Sequence, residues 1–472
     1  MEVMARLDTM ESTLSTEKAE HKADVKRLNL KIDTLTQENQ ILRDDNARLK
    51  SIINNDSSNT SLPPSTDQKS RKSVNTYNSR ETSNKKAGGQ KGHTGTTLTK
   101  ADMEAKIRAG NCKHEIKEIG KPISKQYITK YVMDLEVKPL ITEIRIYADK
   151  HGHYDIPFEY RSDVVYGVNV KAMAVALYSE GVMANDRIAS FLNAASDHEL
   201  NLSQGSVYGF CKKLAKRSTL SIEILENQLL NQKVISSDAT TVSVNGKQHF
   251  IRNFSIEKTV VYQAMKSKTI EAMRKLPILA NFTGTFVHDH ETALYHFGSA
   301  HAECNIHVIR YLRKNTEDTK NKWSEQMKAL LCEANQTRRA LISQGVHSFP
   351  IDKISAYEKK YWQLIAVGRI ENRTTHLKYA KADENRLLNR MEKYSQNHLM
   401  FLHDFSVPFD NNMSERDLRK AKNRQKMAGG FRKDSGHEMY CAILTVIETL
   451  KRRNMAMLEN LRELFRGTPA IF

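Results

Sequence analysis

Cysteine, tryptophan and proline are scarce in this sequence, and long apolar runs are missing. Its 472 residues include 5 Cys, 2 Trp and 9 Pro. Five scattered cysteines do not form the framework of a disulfide-stapled secreted domain, and they suit a reducing cytosol. No run approaches the roughly 18 apolar residues of a membrane helix, and the N-terminus lacks the apolar stretch of a secretory signal. The sequence therefore predicts a cytoplasmic protein without a membrane partner.

Acidic residues are also in deficit. Lys and Arg number 73 against 55 Asp and Glu, which gives a formal charge of +18. Such a surplus indicates a polyanionic partner, most often nucleic acid, with an anionic membrane surface as the lesser alternative. Hydrophobic residues make up 39% of the chain, so a wholly disordered chain is excluded. The length predicts several domains.

Residues 1–53 carry a heptad repeat. Leucines occupy one heptad position and mostly β-branched or Asn residues occupy another: Leu7, Leu14, Leu28, Leu35, Leu42 and Leu49, with Val25, Ile32, Asn39, Asn46 and Ile53. This pattern predicts a coiled-coil dimerisation helix, because β-branched residues at a and leucine at d favour a parallel dimer. We expect a homodimer or a higher oligomer. A lone amphipathic helix packed on its own domain is the alternative.

Residues 54–100 are polar and basic, and they predict a flexible linker. The linker closes with a glycine-rich tract, Gly88–Gly95. Glycine lets backbone N–H groups approach a phosphate chain and lysine supplies charge. Lys85, Lys86 and Lys91 are therefore candidate DNA contacts. A solvated linker without DNA contact is the alternative.

Residues 101–162 combine metal-binding residue types with a strand-like pattern. The candidate zinc ligands are Cys112, His114, His151 and His153. Alternating, β-branched residues from Tyr127 to Tyr147 predict strands between the two pairs. Zinc usually takes ligands spaced Cys-x-x-Cys, and the one-residue gaps here hinder joint ligation of one ion. The segment is therefore interpreted as a degenerate zinc-finger-like β region, and a fold without metal remains open.

Residues 163–230 are predicted to be helical. Val170–Ser179 is amphipathic, and Asn185–Ala194 and Ser203–Ala215 follow each other with the rhythm of a DNA-binding helix-turn-helix. Ser203 is a suitable N-cap for the second of these. Two helices of an ordinary bundle are the alternative.

Residues 231–436 change to a strand pattern, with predicted strands at 233–244, 248–256, 259–265, 284–287 and 301–304. Three strands in a meander, a helix, a strand and a further helix follow the order of an RNase-H-like α/β domain. Polar helices at about 316–400 interrupt it as an insertion. A basic helix at 410–426 and C-terminal helices at 437–472 complete the chain. The predicted fold is thus multidomain, α plus α/β.

Three acids stand at positions typical of a catalytic site in this arrangement. Asp238 interrupts an apolar strand, where an acid is costly unless it is paired or bound to metal. Asp289 follows the fourth strand, at the sheet edge where α/β sites lie, and Glu415 lies in the basic helix. Oxygen ligands suit Mg²⁺, and two ions could serve phosphodiester chemistry. Each acid alone has a structural alternative, namely a turn residue, a helix cap or a surface ion pair.

The segment Val407–Arg419 resembles the signature around the catalytic glutamate of the insertion sequence 66 family of bacterial DDE transposases, of the transposase C type. Other stretches match that family in the same order: the coiled coil, Pro63-Pro64-Ser65, Gly88–Gly95, Asp238-Ala-Thr, Val244–Lys247, His288-Asp289, Cys304–Arg310 and Ala428–Phe431. In the region of Cys112 the family often carries two Cys-x-x-Cys pairs, which this chain lacks.

The resemblance implies roles for individual residues. Asp238, Asp289 and Glu415 match the family's acidic triad, which holds two Mg²⁺ or Mn²⁺ ions. The residues that match its flanking signature are Asn411, Asn412, Arg416 and Arg419. The candidate DNA contacts on the basic helix are its cations Arg416, Arg419, Lys420 and Arg424. Cys304 and His307 match a family motif, for which local packing is the alternative role.

The function implied is that of an insertion-sequence transposase. It would bind double-stranded DNA at terminal inverted repeats, cut a strand and join the free end to target DNA, together with small companion proteins of the same element. We expect a bacterial, nucleoid-associated enzyme. A catalytically inactive, repressor-like DNA-binding relative and an RNase-H-like nuclease without strand transfer are the alternatives.

Overall fold

The structure is a computed structural model that describes residues 2–56, 59–60, 98–110, 112–118, 128–135, 137–470 and 472. It is a mixed α/β architecture with a long N-terminal helix. The helices are α1 (Glu2–Ile53), α2 (Lys100–Arg108), α3 (Val168–Ser179), α4 (Asn185–Ala195), α5 (Gln204–Arg217), α6 (Thr219–Leu230), α7 (Ile270–Met273), α8 (Pro277–Asn281), α9 (Asn305–Thr319), α10 (Lys322–Ser343), α11 (Ile351–Thr374), α12 (Lys378–Lys393), α13 (Ser395–His403), α14 (Asn412–Ala428), α15 (Asp434–Arg452) and α16 (Met457–Arg466). The strands are β1 (Val234–Val244), β2 (Lys247–Ile256), β3 (Thr259–Met265), β4 (Thr285–His288) and β5 (Ala300–Glu303). Within the described residues no helix has the length and apolar character that crossing a bilayer requires.

The long helix α1 carries the predicted heptads, and their apolar side chains are exposed in the single chain. Leu35 and Leu42, for example, are 49% and 61% exposed. The C-terminal end of α1 is attached to α9, where Lys314 Nζ donates to Ser51 Oγ (2.9 Å) and to Asn55 Oδ1 (2.7 Å). Dimerisation through the heptads stays a prediction, but the helix that would mediate it is fixed to the rest of the chain.

The region of the predicted zinc-finger-like fold departs from expectation. Residues 128–135 and 137–147, the described part of the segment from Tyr127 to Tyr147, form no strand. Their apolar side chains are exposed, with Val132 at 91% and Ile141 at 93%. An alternating pattern makes a strand only where a neighbouring strand pairs its backbone groups and a core covers one face, and neither is present along these described residues. The strand prediction for this segment is wrong.

Helices α3, α4 and α5 lie close to their predicted bounds. Ser203 caps α5 as expected, because its Oγ accepts from the backbone N–H of Ser206 (3.1 Å). The inward faces of these helices share one core with α14, α15 and α16. The α4–α5 pair is therefore part of the main core, and the helix-turn-helix interpretation stays a prediction.

The sheet has the order β3-β2-β1-β4-β5 among the described strands. β1 pairs with β2, and β2 with β3, in antiparallel register. β4 lies parallel to β1 on one side and parallel to β5 on the other. The type I′-like Asn245-Gly246 turn, with positive φ at both residues, sets the β1–β2 register. β1 and β4 are thus neighbours.

Side chains that alternate along the strands pack into two hydrophobic cores, one on each face of the sheet. Ile235, Phe254 and Phe286 face the core beneath α6 and α8, whereas Val242 and Ile251 face α3–α5 and α14–α16. Because both faces of the sheet are covered by a core, both alternating sets of side chains include buried apolar residues. This explains why these strands are rich in β-branched and aromatic residues.

Helix α15 covers the edge strand β3. Thr445 Oγ1 accepts from the backbone N–H of Tyr262 (2.9 Å), and Thr449 Oγ1 accepts from that of Val260 (3.2 Å). These side chains pair backbone groups that an open sheet edge would leave exposed to another chain.

Helices α10 to α13 occupy the part of the chain for which the sequence predicts an insertion. They build a separate core with α9, in which Trp323, Tyr361 and Leu388 are fully buried. The insertion returns the chain to the sheet at Phe409, whose carbonyl accepts from the backbone N–H of Asn305 (3.0 Å). It therefore lies between β5 and α14 in sequence and leaves both in place.

The Ala428–Phe431 motif has a steric explanation. Gly429 (φ 68°) ends α14 in the left-handed region, and Gly430 has φ 120°. A Cβ on Gly430 would overlap the carbonyl oxygen of Ser243. This close approach lets Phe431 bond to β1, donating to Ser243 O (2.8 Å). The motif fixes α14 to the end of the strand that carries Asp238.

Candidate metal centre

Asp238 lies in the middle of β1, opposite Asn253 of β2. The Asn253 side chain accepts from the backbone N–H of Asp238 (3.0 Å) and from Ser414 Oγ (2.6 Å), and it donates to the carbonyl of Ser414 (3.0 Å). One buried amide thus joins β1, β2 and the first turn of α14. The acid and the helix that carries Glu415 are held in a fixed relation by these bonds.

Asp289 directly follows β4, and Glu415 lies in the first turn of α14. Ligand atoms of Asp289, Glu415, Cys304 and His307 all lie within 4.8 Å of one another. Among the described residues this is the only such group of three or more potential metal-binding side chains. Asp238 is outside this group of four, but it is close enough to Asp289 for the two charges to interact.

The acids differ in their protonation tendencies. Burial, and then the charge of Asp289, raises the pKa of Asp238 to about 7. Burial and Asp289 also raise the pKa of Glu415. Burial acts the same way on Asp289, but the adjacent His307 and a hydrogen bond from Asn411 outweigh it and hold the pKa of Asp289 below its ordinary value. Asp289 is therefore the acid that stays ionised. Ionising Asp238 and Glu415 as well costs free energy because like charges repel, and a bound cation would lower that cost.

The orientation of His307 makes it a partner of Asp289 and not a free metal ligand. Its Nε2 lies 3.2 Å from Arg310 Nη1. The Nδ1 atom carries a proton in either ring form: in the neutral ring Nε2 accepts from this guanidinium, and the charged ring is favoured because Cys304 and Asp289 outweigh burial and raise the pKa of His307 well above its ordinary value. The Nδ1 atom lies 3.3 Å from Asp289 Oδ1 and 3.8 Å from Glu415 Oε1, at ion-pair distance from both acids but without the alignment of a hydrogen bond. The family motif thus places a proton donor against the acids, which local packing alone would not require.

Cys304 is likewise engaged. Its Sγ accepts from the backbone N–H of Asn411 (3.3 Å), and burial raises the pKa of the thiol. A protonated thiol is a poor metal ligand. The donors that remain are the carboxylates of Asp238, Asp289 and Glu415.

Three carboxylates suit Mg²⁺ or Mn²⁺ and not a soft metal. Glu415 Oε1 is buried and has no hydrogen-bond partner among the described residues. A buried carboxylate oxygen in this condition is costly unless a cation or water meets it. The residues therefore fit a divalent cation, with oxygen atoms as its protein ligands.

The signature residues around Glu415 hold the site together. Asn411 Nδ2 donates to the carbonyl of Ser237 (3.1 Å) and to Asp289 Oδ1 (3.4 Å). Asp410 Oδ1 accepts from the backbone N–H of Asn412, the first residue of α14 (3.1 Å). Asp410 thus bonds to the backbone where α14 begins, and Asn411, the N-cap residue of the helix, connects β1 to Asp289.

The cations of α14 fall into two groups. Arg416 and Arg419 are exposed and remain candidate DNA contacts. Lys420 instead forms ion pairs with Glu180 and Glu448. Arg424 is 7% exposed, donates to the carbonyl of Met183 (2.7 Å) and lies over the ring of Tyr178. The DNA contacts expected of Lys420 and Arg424 stay predictions, and these intrachain bonds would compete with them.

The candidate zinc ligands are not assembled. Cys112, His114, His151 and His153 are exposed, and they do not form a metal-binding group within the described residues. Lys85, Lys86, Lys91 and the tract Gly88–Gly95 lie outside the described residues.

Asn253 is the site residue that sequence reasoning missed. A signal was present, since the Asn245-Gly246 turn fixes the hairpin register and places Asn253 opposite Asp238. An amide in the middle of a strand, directly opposite an acid, indicates a shared buried network.

A known protein family matches the part of the chain that contains this site. The sequence model of the transposase IS66 family matches residues 164–439, more than half of the chain. The matched part begins before α3, contains the whole sheet and the acidic centre, and ends in α15. The chain belongs to the IS66 family of transposases, and the resemblance seen in the sequence is confirmed. No curated protein and no solved structure matches the chain.

Proposed function

We propose that this chain is the DNA transposase of an insertion sequence, which binds terminal inverted repeats and catalyses metal-dependent strand cleavage and strand transfer. The observation that carries the proposal is the meeting of Asp289 and Glu415 at one edge of the sheet, with Asp238 close enough to Asp289 for the two charges to interact. Family membership supports the transposase role. The order and directions of the strands are those of an RNase-H-like domain, which supports that finer fold assignment.

The carboxylates of Asp238, Asp289 and Glu415 would hold two Mg²⁺ or Mn²⁺ ions. When bound, such ions would activate the attacking oxygen and stabilise the leaving oxygen at a phosphodiester. The chain's own groups prepare the site for this. Asn253 fixes the spacing between β1 and α14, whereas Asn411 and the Nδ1–H of His307 orient Asp289. Water is the nucleophile for cleavage, and the 3′-hydroxyl it frees is the nucleophile for joining.

The DNA partner is supported by charge. The net charge is +18, and exposed Arg416 and Arg419 follow Glu415 on the same helix, where they can bind backbone phosphates near the acids. The exposed heptads of α1 support a dimer, which would pair two element ends. Small companion proteins and a bacterial cytoplasmic, nucleoid-associated location belong to the same proposal.

The products of the wild-type protein test the function. Purified protein is incubated with Mg²⁺ and labelled duplexes of the DNA that flanks its gene, with a scrambled duplex as control. We expect a nick at the repeat boundary that leaves a 3′-hydroxyl, followed by joined products. Cleavage that never gives joined products would favour an RNase-H-like nuclease. Binding without any cleavage, even with Mn²⁺ and the neighbouring gene products, would favour a repressor-like relative.

A further inference from the structure

Helix α5 presents a polar and basic face to solvent. Val207, Cys211 and Leu214 on its inner side are fully buried. The outward residues are exposed: Gln204, Gly205, Tyr208, Gly209, Lys212 and Lys216. We refer to these six residues as the α5 face. The α5 face contains two lysines and no acidic residue. An exposed helix face that serves solubility alone carries charges of both signs.

Positive charge is also concentrated beside the α5 face. Lys171 of α3 lies near Lys213 and Arg217, and burial followed by these two charges lowers the pKa of Lys171. The Arg217 guanidinium donates a hydrogen bond to the carbonyl of Leu464 at the end of α16 (3.2 Å). In the described part of the chain, Lys171 and the lysines of α5 form no ion pair. Like charges held together in this way are stabilised by an anion from outside.

Gly209 is an independent observation on the same face. It lies in the interior of α5, where glycine destabilises a helix relative to alanine. An added Cβ would meet nothing within 4 Å, so packing within the chain does not require glycine. The missing side chain leaves the helix backbone bare between Tyr208 and Lys212. A partner surface could therefore approach α5 closely at this point.

The loop before α5 fixes the helix in place. The Asn193 side chain donates to the carbonyl of Leu202 (2.9 Å) and accepts from its backbone N–H (2.7 Å). Together with the Ser203 cap, these bonds join the end of α4 to the start of α5. The α5 face is thus a preformed surface and does not need to order on binding.

We propose that the α5 face lies in the major groove of duplex DNA, with Gln204 and Tyr208 at base edges and Lys212 and Lys216 at phosphates. The proposal rests on the proposed function, since the duplex is the element end. The major groove is about 12 Å wide and admits an α-helix, and the N-terminal residues of such a helix contact the bases. The charge on α5 is complementary to the phosphates.

Two variants separate DNA binding from folding. Binding of the full-length protein to the flanking duplex and to the scrambled duplex is measured in EDTA, so that no cleavage occurs. Gly209→Leu adds a helix-favouring side chain in open space, so its Tm should match or exceed that of the wild type. Its Kd for the flanking duplex should rise at least about tenfold, because the side chain blocks close approach. Gln204→Ala should reduce the preference for the flanking over the scrambled duplex.

Charge is tested by salt dependence. Lys212→Ala with Lys216→Ala should lower the slope of log K against log salt by about 2, since each lost phosphate contact removes about 0.9. The matched control is Lys359→Ala with Lys360→Ala, which removes two exposed lysines of α11 and should leave affinity for the specific site unchanged.

The outcomes distinguish the two proposals. If the wild type binds and cuts the flanking duplex while the α5 variants bind it with wild-type affinity and salt slope, the inference is overturned and the proposed function stands. If the wild type neither prefers nor cuts that duplex, the proposed function fails and the inference fails with it. Weakened binding with an undiminished Tm supports the inference.

Discussion

Replacing Asp238 with asparagine should stabilise the metal-free protein while ending catalysis. The folded pKa of Asp238 is about 7, whereas an unfolded aspartate has a pKa of about 3.9. Between these values the folded protein holds a proton that the unfolded chain has released, so its stability falls as pH rises from about 4 to about 7. The full difference corresponds to about 4 kcal/mol. An asparagine side chain is isosteric with aspartate, and its oxygen can still accept from the backbone N–H of Ala239, as the carboxylate does (2.6 Å).

The measurement is urea denaturation of the wild type and Asp238→Asn in EDTA at several pH values. The variant should be the more stable protein, by on the order of 1 kcal/mol at pH 5 and on the order of 4 kcal/mol at pH 8. Mg²⁺ should narrow the gap, because it binds and stabilises the folded wild type more than the variant. The reasoning is refuted if the variant is the less stable protein at pH 8, or if the gap does not grow with pH.

Three further predictions concern separate parts of the molecule. His307→Leu should lower kcat for cleavage at least about tenfold with little change in KM, while His307→Gln, which keeps a donor for Asp289, should retain more activity; equal loss in both would contradict the orienting role. Gly430→Ala should destabilise the protein by at least about 2 kcal/mol in urea denaturation, since positive φ and a clash combine, whereas Gly436→Ala, whose Cβ meets nothing within 4 Å, should not. Leu35→Lys on the exposed stripe of α1 should shift the mass measured by light scattering towards the monomer, and an unchanged dimer would exclude the heptads as the interface.

The strand order around Asp238 and Asp289 could be predicted because local signals are strong there. The Asn245-Gly246 turn, the alternating apolar residues and the breaks between strands each restrict the pairing. Parallel pairing of β1 with β4 then follows from the short fourth strand and its helical connection. For this reason the strand pattern, together with the RNase-H-like strand order, suffices to place Asp238 and Asp289 on neighbouring strands.

The segment from Tyr127 to Tyr147 shows the opposite case. Alternation predicts which face a strand would bury, but it does not supply the partner that pairs the backbone. The sequence likewise predicts charge on α14 without showing where each cation points. Arg424 is stacked on Tyr178 because α14 packs against α3 and α15, a contact between segments far apart in sequence. Such contacts also explain why the role of His307 could be seen only in the fold.

The most direct test of the central claim is single-turnover cutting of the flanking duplex by three matched variants, Asp238→Asn, Asp289→Asn and Glu415→Gln. The wild type should cut in Mg²⁺ or Mn²⁺ and not in EDTA. Each variant should bind the duplex like the wild type and cut it at least about a thousandfold more slowly, since each carboxylate belongs to one catalytic unit. Wild-type cutting by any one of the three, or cutting by the wild type in EDTA, would contradict the account of a metal centre built from these acids.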